Sequence, residues 1–298
     1  MRGKLKKLFA AVLAVLLALS FSGCSELTGL DAQALMSPPK TTADREAIYA
    51  LMGGGMGDVT LVYPKYGDYR SAIISRDLDG CGTSEVVSFC ANGDAGGTRL
   101  EFFKKNTDGV WNSMARFTSA ATQVDKVFFG DLTGDGMDEI IVGWGDPLTA
   151  TASVSVYYVD GDTIREFSMT TVSYSEMLLT DFDSDNIKEL FVLQAAQTSG
   201  EEIMALGGLY RFDGDQPYVS KTVPLDAAVT RYTSVSFSQV NSWRRAAVLD
   251  GVKADGRMLT QVIGYDEASD RLISPLSNEE NATDRPTAAA AVSRDVNK

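Results

Sequence analysis

The chain has no histidine in 298 residues. That removes histidine-based catalytic triads, imidazole general bases and histidine-ligated zinc. Cysteine is scarce, with three copies, Cys24, Cys81 and Cys90. The stretch Glu85–Cys90 reads as an extended strand, which at about 3.3 Å per residue holds Cys90 too far from Cys81 for the roughly 7 Å Cα limit of a disulfide. Both are expected as free thiols, with Cys90 in the core. Basic residues are in deficit, 27 against 40 acidic ones, for a formal charge of −13. This excludes general affinity for nucleic acid, or for anionic lipid through the body of the chain. It suits the binding of cations.

No apolar run is long enough to cross a bilayer as a helix. The N-terminal one, Leu8 to Phe21, covers 14 residues, the length of a signal-peptide core. Arg2, Lys4, Lys6 and Lys7 precede it, and Phe21-Ser22-Gly23-Cys24 closes it. That ending resembles the lipobox of bacterial lipoproteins, although Phe21 stands where an aliphatic residue is usual. The resemblance implies that residues 1–23 are a cleaved signal peptide. Cys24 would then be the lipidated first residue, anchoring an exported chain to the outer face of the cell membrane. One acyl chain holds a protein only marginally, and the lipoprotein modification supplies a diacylglycerol. An ordinary secretory leader with an incidental cysteine is the alternative. Cleavage leaves 23 basic against 40 acidic residues, a formal charge of −17.

Residues 24–40, with Pro38-Pro39, read as a flexible tether. Residues 41–57 hold a short helix and linker: Thr41 or Thr42 as cap, Asp44 and Glu46 in the first turn, and Ala47, Ile48, Leu51 and Met52 as the apolar face. From residue 58 the pattern changes to short segments rich in Val, Ile, Phe, Tyr and Thr, such as Thr60–Tyr63, Val86–Cys90, Ile140–Trp144 and Leu190–Leu193. Turn residues separate them and no long helix interrupts, so residues 58–298 are expected to be all-β.

One unit recurs along this body: an apolar strand, a nine-residue acidic loop, then another apolar strand. The loops are Asp77–Glu85, Asp131–Glu139 and Asp181–Glu189, starting 54 and 50 residues apart. A worn fourth copy, lacking the acids, has its polar loop around Asn241. Ala291–Lys298 echoes Ile73–Gly80, in step with the others. The chain is therefore expected to stop inside a fifth unit, as a truncated frame or fragment. Repeats that cannot bury their own apolar face must stack.

In each loop, positions 1, 3 and 5 carry side chains that can converge, position 7 can offer its carbonyl, and position 9 is glutamate. Hard cations such as calcium take about six to eight oxygen ligands. The third loop supplies four carboxylates, Asp181, Asp183, Asp185 and Glu189, with Ile187 at position 7. The second supplies Asp131, Thr133, Asp135 and Glu139, with Met137 at position 7. The first has Asp77, Asp79, Thr83 and Glu85, but Cys81 at position 5, and a thiol is a poor ligand for a hard cation. It is expected to be a weak site. Strands flank the loops, and the last carboxylate comes at position 9, so an EF-hand is excluded.

These units resemble FG-GAP or VCBS-type repeats, the four-stranded blades of integrin-α-like β-propellers. The resemblance implies structural calcium held through positions 1, 3, 5, 7 and 9, although glutamate closes each loop here where that family often has aspartate. Four blades and the start of a fifth fall short of a closed wheel, so an incomplete propeller is expected. An exposed, non-catalytic binding or adhesion module for an extracellular protein or glycan is the first functional expectation. A scaffold or accessory subunit of an envelope complex is the alternative, and an enzyme the remote one. Trp111, Trp144 and Trp243 could stack on sugars but are expected as core. Asp138 and Glu139, adjacent on a strand, point to opposite faces and make a poor acid/base pair. Gly53-Gly54-Gly55 lacks the strand and lysine of a phosphate loop.

Overall fold

The computed structural model describes residues 43–55, 57–145, 152–167, 172–199, 202–213, 216–241 and 244–274. The expected signal peptide, Cys24, the expected tether, the expected cap of the helix, Trp243 and the echo at 291–298 lie outside these residues. The chain divides into two units, Met1–Glu46 and Ala47–Lys298; the account below concerns the second.

Helix α1 spans Ala43–Leu51. Its later half buries Ile48, and Met52 follows just beyond it, both against Val86, Cys90 and Phe103. Cys90 is fully buried and Cys81 exposed, both as free thiols.

Seventeen strands follow among the described residues. The first sheet is β1 (Ile73–Arg76), β2 (Glu85–Ala91), β3 (Thr98–Lys105) and β4 (Trp111–Ser119). The second is β5 (Gln123–Gly130), β6 (Glu139–Gly145), β7 (Ala152–Asp160) and β8 (Thr163–Glu166), with β9 (Val172–Tyr174) pairing the starting half of β7. The third is β10 (Glu176–Thr180), β11 (Glu189–Ser199), β12 (Glu202–Asp213) and β13 (Gln216–Pro224). The fourth is β14 (Val229–Asn241), β15 (Arg244–Lys253), β16 (Met258–Asp266) and β17 (Arg271–Ile273). Neighbours in the chain are neighbours in each sheet, all antiparallel, and no sheet closes on itself. The body is thus all-β, as expected, with four-stranded meanders as its repeating unit. Thr60–Tyr63 forms a single bridge, Leu61 to Cys90, rather than a strand.

The sheets stack face to face in chain order. Val87 and Phe89 of β2 meet Val127, Ile140 and Val142 of the second sheet in one core. Ile141 and Val156, on that sheet's other face, meet Met177, Leu190 and Val192 of the third. Phe191, Leu193 and Leu209 then meet Val229, Leu249 and Ile263 of the fourth. Both faces of the inner sheets are covered, so β6 is buried at every residue. This explains why its sequence, Glu139-Ile-Ile-Val-Gly-Trp-Gly145, is a continuous apolar run rather than an alternation. Trp144 belongs to this core and Trp111 packs partly buried against the helix cluster.

In the fourth sheet β14 and β15 remain paired up to Asn241 and Arg244. Eight residues separate the first two strands in each of the other sheets, and two separate them here.

Candidate metal centres in the acidic loops

Each acidic loop joins the first strand of its sheet to the second, and its glutamate is the first residue of that second strand. The three loops share one frame. The chain takes positive φ at positions 4 and 6: Gly80 (67°) and Gly82 (86°), Gly134 (80°) and Gly136 (85°), Ser184 (66°) and Asn186 (70°). The first aspartate accepts from the N–H at position 6: Gly82 to Asp77 at 2.9 Å, Gly136 to Asp131 at 2.9 Å, Asn186 to Asp181 at 3.1 Å. Asp131 and Asp181 also accept from position 4, at 2.6 and 2.7 Å. The fifth-position aspartates Asp135 and Asp185 accept from the N–H of Met137 and Ile187, both at 2.8 Å. In Asp131 and Asp181 both carboxylate oxygens are thereby engaged by N–H groups of their own loop.

The closing glutamate is buried in all three loops. Its Oε2 accepts the N–H of position 2, from Leu78 at 2.9 Å, Leu132 at 2.7 Å and Phe182 at 2.8 Å. Those position-2 side chains are themselves buried, and each enters the core shared with the following sheet. The loops are also joined to one another. Asp138 N–H donates to the Leu78 carbonyl at 3.2 Å, and Lys188 N–H to the Asp131 carbonyl at 3.0 Å. Asp138 pairs with Arg76 of the preceding sheet, whereas Glu139 turns inward, so the two adjacent carboxyls do part to opposite sides.

The electrostatics of the three loops differ. In the third, oxygens of Asp181, Asp183 and Glu189 lie within 4.8 Å of one another. A guanidinium already sits among them: Arg211 on β12 donates to Asp183 and to Glu189, the latter at 2.6 Å, and lies 3.5 Å from Asp185. In the first, Asp77, Asp79 and Cys81 converge. Lys104 on β3 lies 2.5 Å from Asp79 and 3.9 Å from Glu85. The Cys81 thiol donates to the Thr83 carbonyl at 3.9 Å. Asp79 is held down to about 2: the bonds from Cys81 and Lys104 outweigh burial, which acts the other way and is the largest single influence.

In the second loop, among the described residues, no lysine or arginine pairs with Asp131, Asp135 or Glu139. Burial, reinforced by the charges of Asp135 and Asp131, pushes Glu139 up to about 7. Thr133 Oγ1 is buried in the loop without a hydrogen-bond partner. Asp131, Asp135 and Glu139 do not gather within 4.8 Å of one another as the groups named in the other two loops do; it is the chemistry of the second loop, an all-oxygen donor set with an orphaned hydroxyl and a buried carboxylate, that fits a hard cation. Asp131, Thr133, Asp135, Glu139 and the Met137 carbonyl are the groups that would hold it. The first and third loops fit less well, one for its thiol and both for their resident side-chain cations.

A second feature is a groove of about 660 Å³ at the opposite ends of the first strands. Gln123, Asp125 and Lys126 open β5, Glu176 opens β10, and Thr230–Val235 lie near the start of β14. Lys65 and Tyr66 form another wall, their N–H groups donating to the Asp125 carbonyl at 3.1 and 2.8 Å. Tyr174 reaches over Gly143 to donate to Asp125 at 2.7 Å. A Cβ at Gly143 would stand 2.1 Å from that hydroxyl, so only glycine admits the crossing. Glu176 pairs with Lys126. Sequence reading missed this groove, because it is assembled from strand ends more than a hundred residues apart.

No protein-family model matches the chain and no curated protein matches it. Among solved structures the chain is similar to Bacillus licheniformis rhamnogalacturonan lyase PL11, with 15% identity and a TM-score of 0.39. The likeness covers 70% of this chain and 50% of that one, so the chain spans about half the length of that protein.

Proposed function

We propose that this chain is a lipid-anchored cell-surface binding module of FG-GAP/VCBS-like blades, stiffened by structural calcium, which holds a glycan in the groove opposite its acidic loops. The repeated loop frame supports the blade reading, and the donor set of the second loop supports calcium. The groove carries the functional reading. Tyr66, 48% exposed, stands at its edge with Lys65 over its ring, Gln123 brings an amide, and the hydroxyls of Thr230, Thr233 and Ser234, which donate to Val252 and Asp250, keep acceptor capacity. Flat aromatic faces beside polar donors and acceptors suit sugars, which are polar at their edges and apolar on one face.

The groove is lined by three cationic side chains, Lys65, Lys126 and Arg231, and two anionic ones, Asp125 and Glu176, in a chain of formal charge −13. An acidic sugar therefore meets less repulsion there than elsewhere on the surface. Both carboxylates are engaged, Asp125 by Tyr174 and Glu176 by Lys126, which favours binding over acid/base chemistry. The anchor rests on Cys24 and the lipobox-like run before it.

A glycan array probed with the intact protein tests the reading. Neutral and uronic-acid glycans should be retained, and Tyr66→Ala and Arg231→Ala should each weaken binding about tenfold or more while leaving the melting temperature unchanged. Retention of protein segments alone, or binding indifferent to both substitutions, would overturn it. Cys24→Ser should release the protein into the medium.

A further inference from the structure

The third strand of each sheet carries one residue in register with the closing glutamate of the acidic loop. In the first sheet Val86 pairs with Phe103, which sets Glu85 opposite Lys104. In the second Ile140 pairs with Tyr157, which sets Glu139 opposite Tyr158. In the third Leu190 pairs with Tyr210, which sets Glu189 opposite Arg211. We propose that this one position decides whether a loop takes a metal ion: Arg211 and Lys104 are built-in cations that occupy the third and first loops, and only the second, facing Tyr158, depends on a divalent ion.

The geometry at the third loop supports this. Arg211 touches three of the four acids that would ligate an ion, and it comes from a strand that does not belong to the loop. A guanidinium cannot lose its charge near neutral pH and presents a planar fork of donors suited to carboxylates. An ion at the centre of these oxygens would have to displace it. In the first loop the ammonium of Lys104 lies 2.5 Å from Asp79 and 3.9 Å from Glu85, and Asp77 Oδ1 and Glu85 Oε1 are buried without a hydrogen-bond partner, so it fills that loop less completely than Arg211 fills the third. In the second loop Tyr158 turns its ring onto Phe167, with centroids 4.4 Å apart. It offers the acids no charge, and Thr133 Oγ1 remains unpartnered. The loop with the richest set of carboxylates is thus the one already neutralised from within.

The inference leans on the calcium reading only for the second loop, and the experiment separates the two. Calcium is titrated by calorimetry into the full-length protein, beside Arg211→Gln and Tyr158→Arg, with melting followed in calcium and in chelator. The unaltered protein should bind one ion, lost in Asp131→Ala and kept in Asp181→Ala. Arg211→Gln should bind two. Tyr158→Arg, which places a guanidinium against the second loop, should bind none and melt at the same temperature with and without chelator. Two ions in the unaltered protein, one of them removed by Asp181→Ala, would overturn the inference. So would a folded Arg211→Gln that still binds one. No ion in the unaltered protein but one in Arg211→Gln would sink calcium at the second loop while supporting the role of Arg211, and no ion in either would sink both. If Arg211→Gln fails to fold, Tyr158→Arg decides: an ion retained there overturns the proposal.

Discussion

In the second loop, glycines at 134 and 136 make the two left-handed bends, and among the described residues no lysine or arginine pairs with its acids. In the third, Ser184 and Asn186 make the same bends, and Arg211 fills the centre. Left-handed backbone strains an ordinary L-residue by roughly 1–2 kcal/mol, less for asparagine. The third loop bears that strain and the second does not. The third loop adds the Arg211 ion pairs to the N–H bonds that both loops share. One frame is therefore reached by two routes, a relaxed backbone without a paired side-chain cation and a strained backbone with one, and burial pushes the closing glutamate up to about 7 in both.

Removing the closing glutamate gives the largest expected separation between the two. Glu189→Ala strips Arg211 of its most buried partner and orphans the Phe182 N–H, and should destabilise by about 3 kcal/mol in urea unfolding. Glu139→Ala at pH 5 orphans only the Leu132 N–H and should cost about 1 kcal/mol. Equal losses would erase the distinction.

The next effect is on pH. A glutamate held near 7 in the folded chain and near 4.5 when unfolded binds more proton folded than unfolded between those values. Its contribution is complete below about pH 4.5 and is lost as pH rises through 7. In chelator, stability should fall by about 3 kcal/mol between pH 4.5 and 7.5 on account of Glu139. Burial also raises Glu85 and Glu189, which act in the same sense. The share of Glu139 should vanish in Glu139→Gln and be suppressed by calcium, which favours the ionised form. Melting curves at four pH values, with and without calcium, would reveal an opposite slope if the carboxylate were ionised throughout.

Smaller effects test the frame itself. Arg76→Ala removes a partly exposed pair with Asp138 and should cost at most about 1 kcal/mol. Ser184→Gly, which relieves a left-handed serine, should raise stability by about 0.5–1 kcal/mol. A loss on that substitution would mean the bend is not strained.

Much of this architecture was legible in the sequence. β-branched and aromatic runs marked the strands, and fifty-residue periodicity marked three of the four sheets. The alternating acids marked the loops, including the inward turn of each glutamate. The resident cations were not legible. Arg211 lies 22 residues from Glu189, and only the Leu190–Tyr210 register brings them together. Counting back from the β11–β12 turn would set Glu189 opposite Phe212 instead, because a bulge between Gln194 and Gln197 shifts the register by one. The fourth loop misled for a different reason. The polar residues around Asn241 resemble a worn acidic loop, but β14 carries pairing straight through them, because a ladder without acids to repel one another can close. At Leu61 the expected strand is reduced to one bridge, held by backbone bonds of Thr60 with Ala91 and of Val62 with Phe89.

The backbone bonds that join one loop to the next, Lys188 to Asp131 and Asp138 to Leu78, use no side chain. Any further unit spliced in with the same turn would inherit the connection whatever its sequence. Gene duplication can thus lengthen or shorten such a chain by whole units without inventing a new joint, and each copied loop is free to drift between capturing an ion and carrying its own charge.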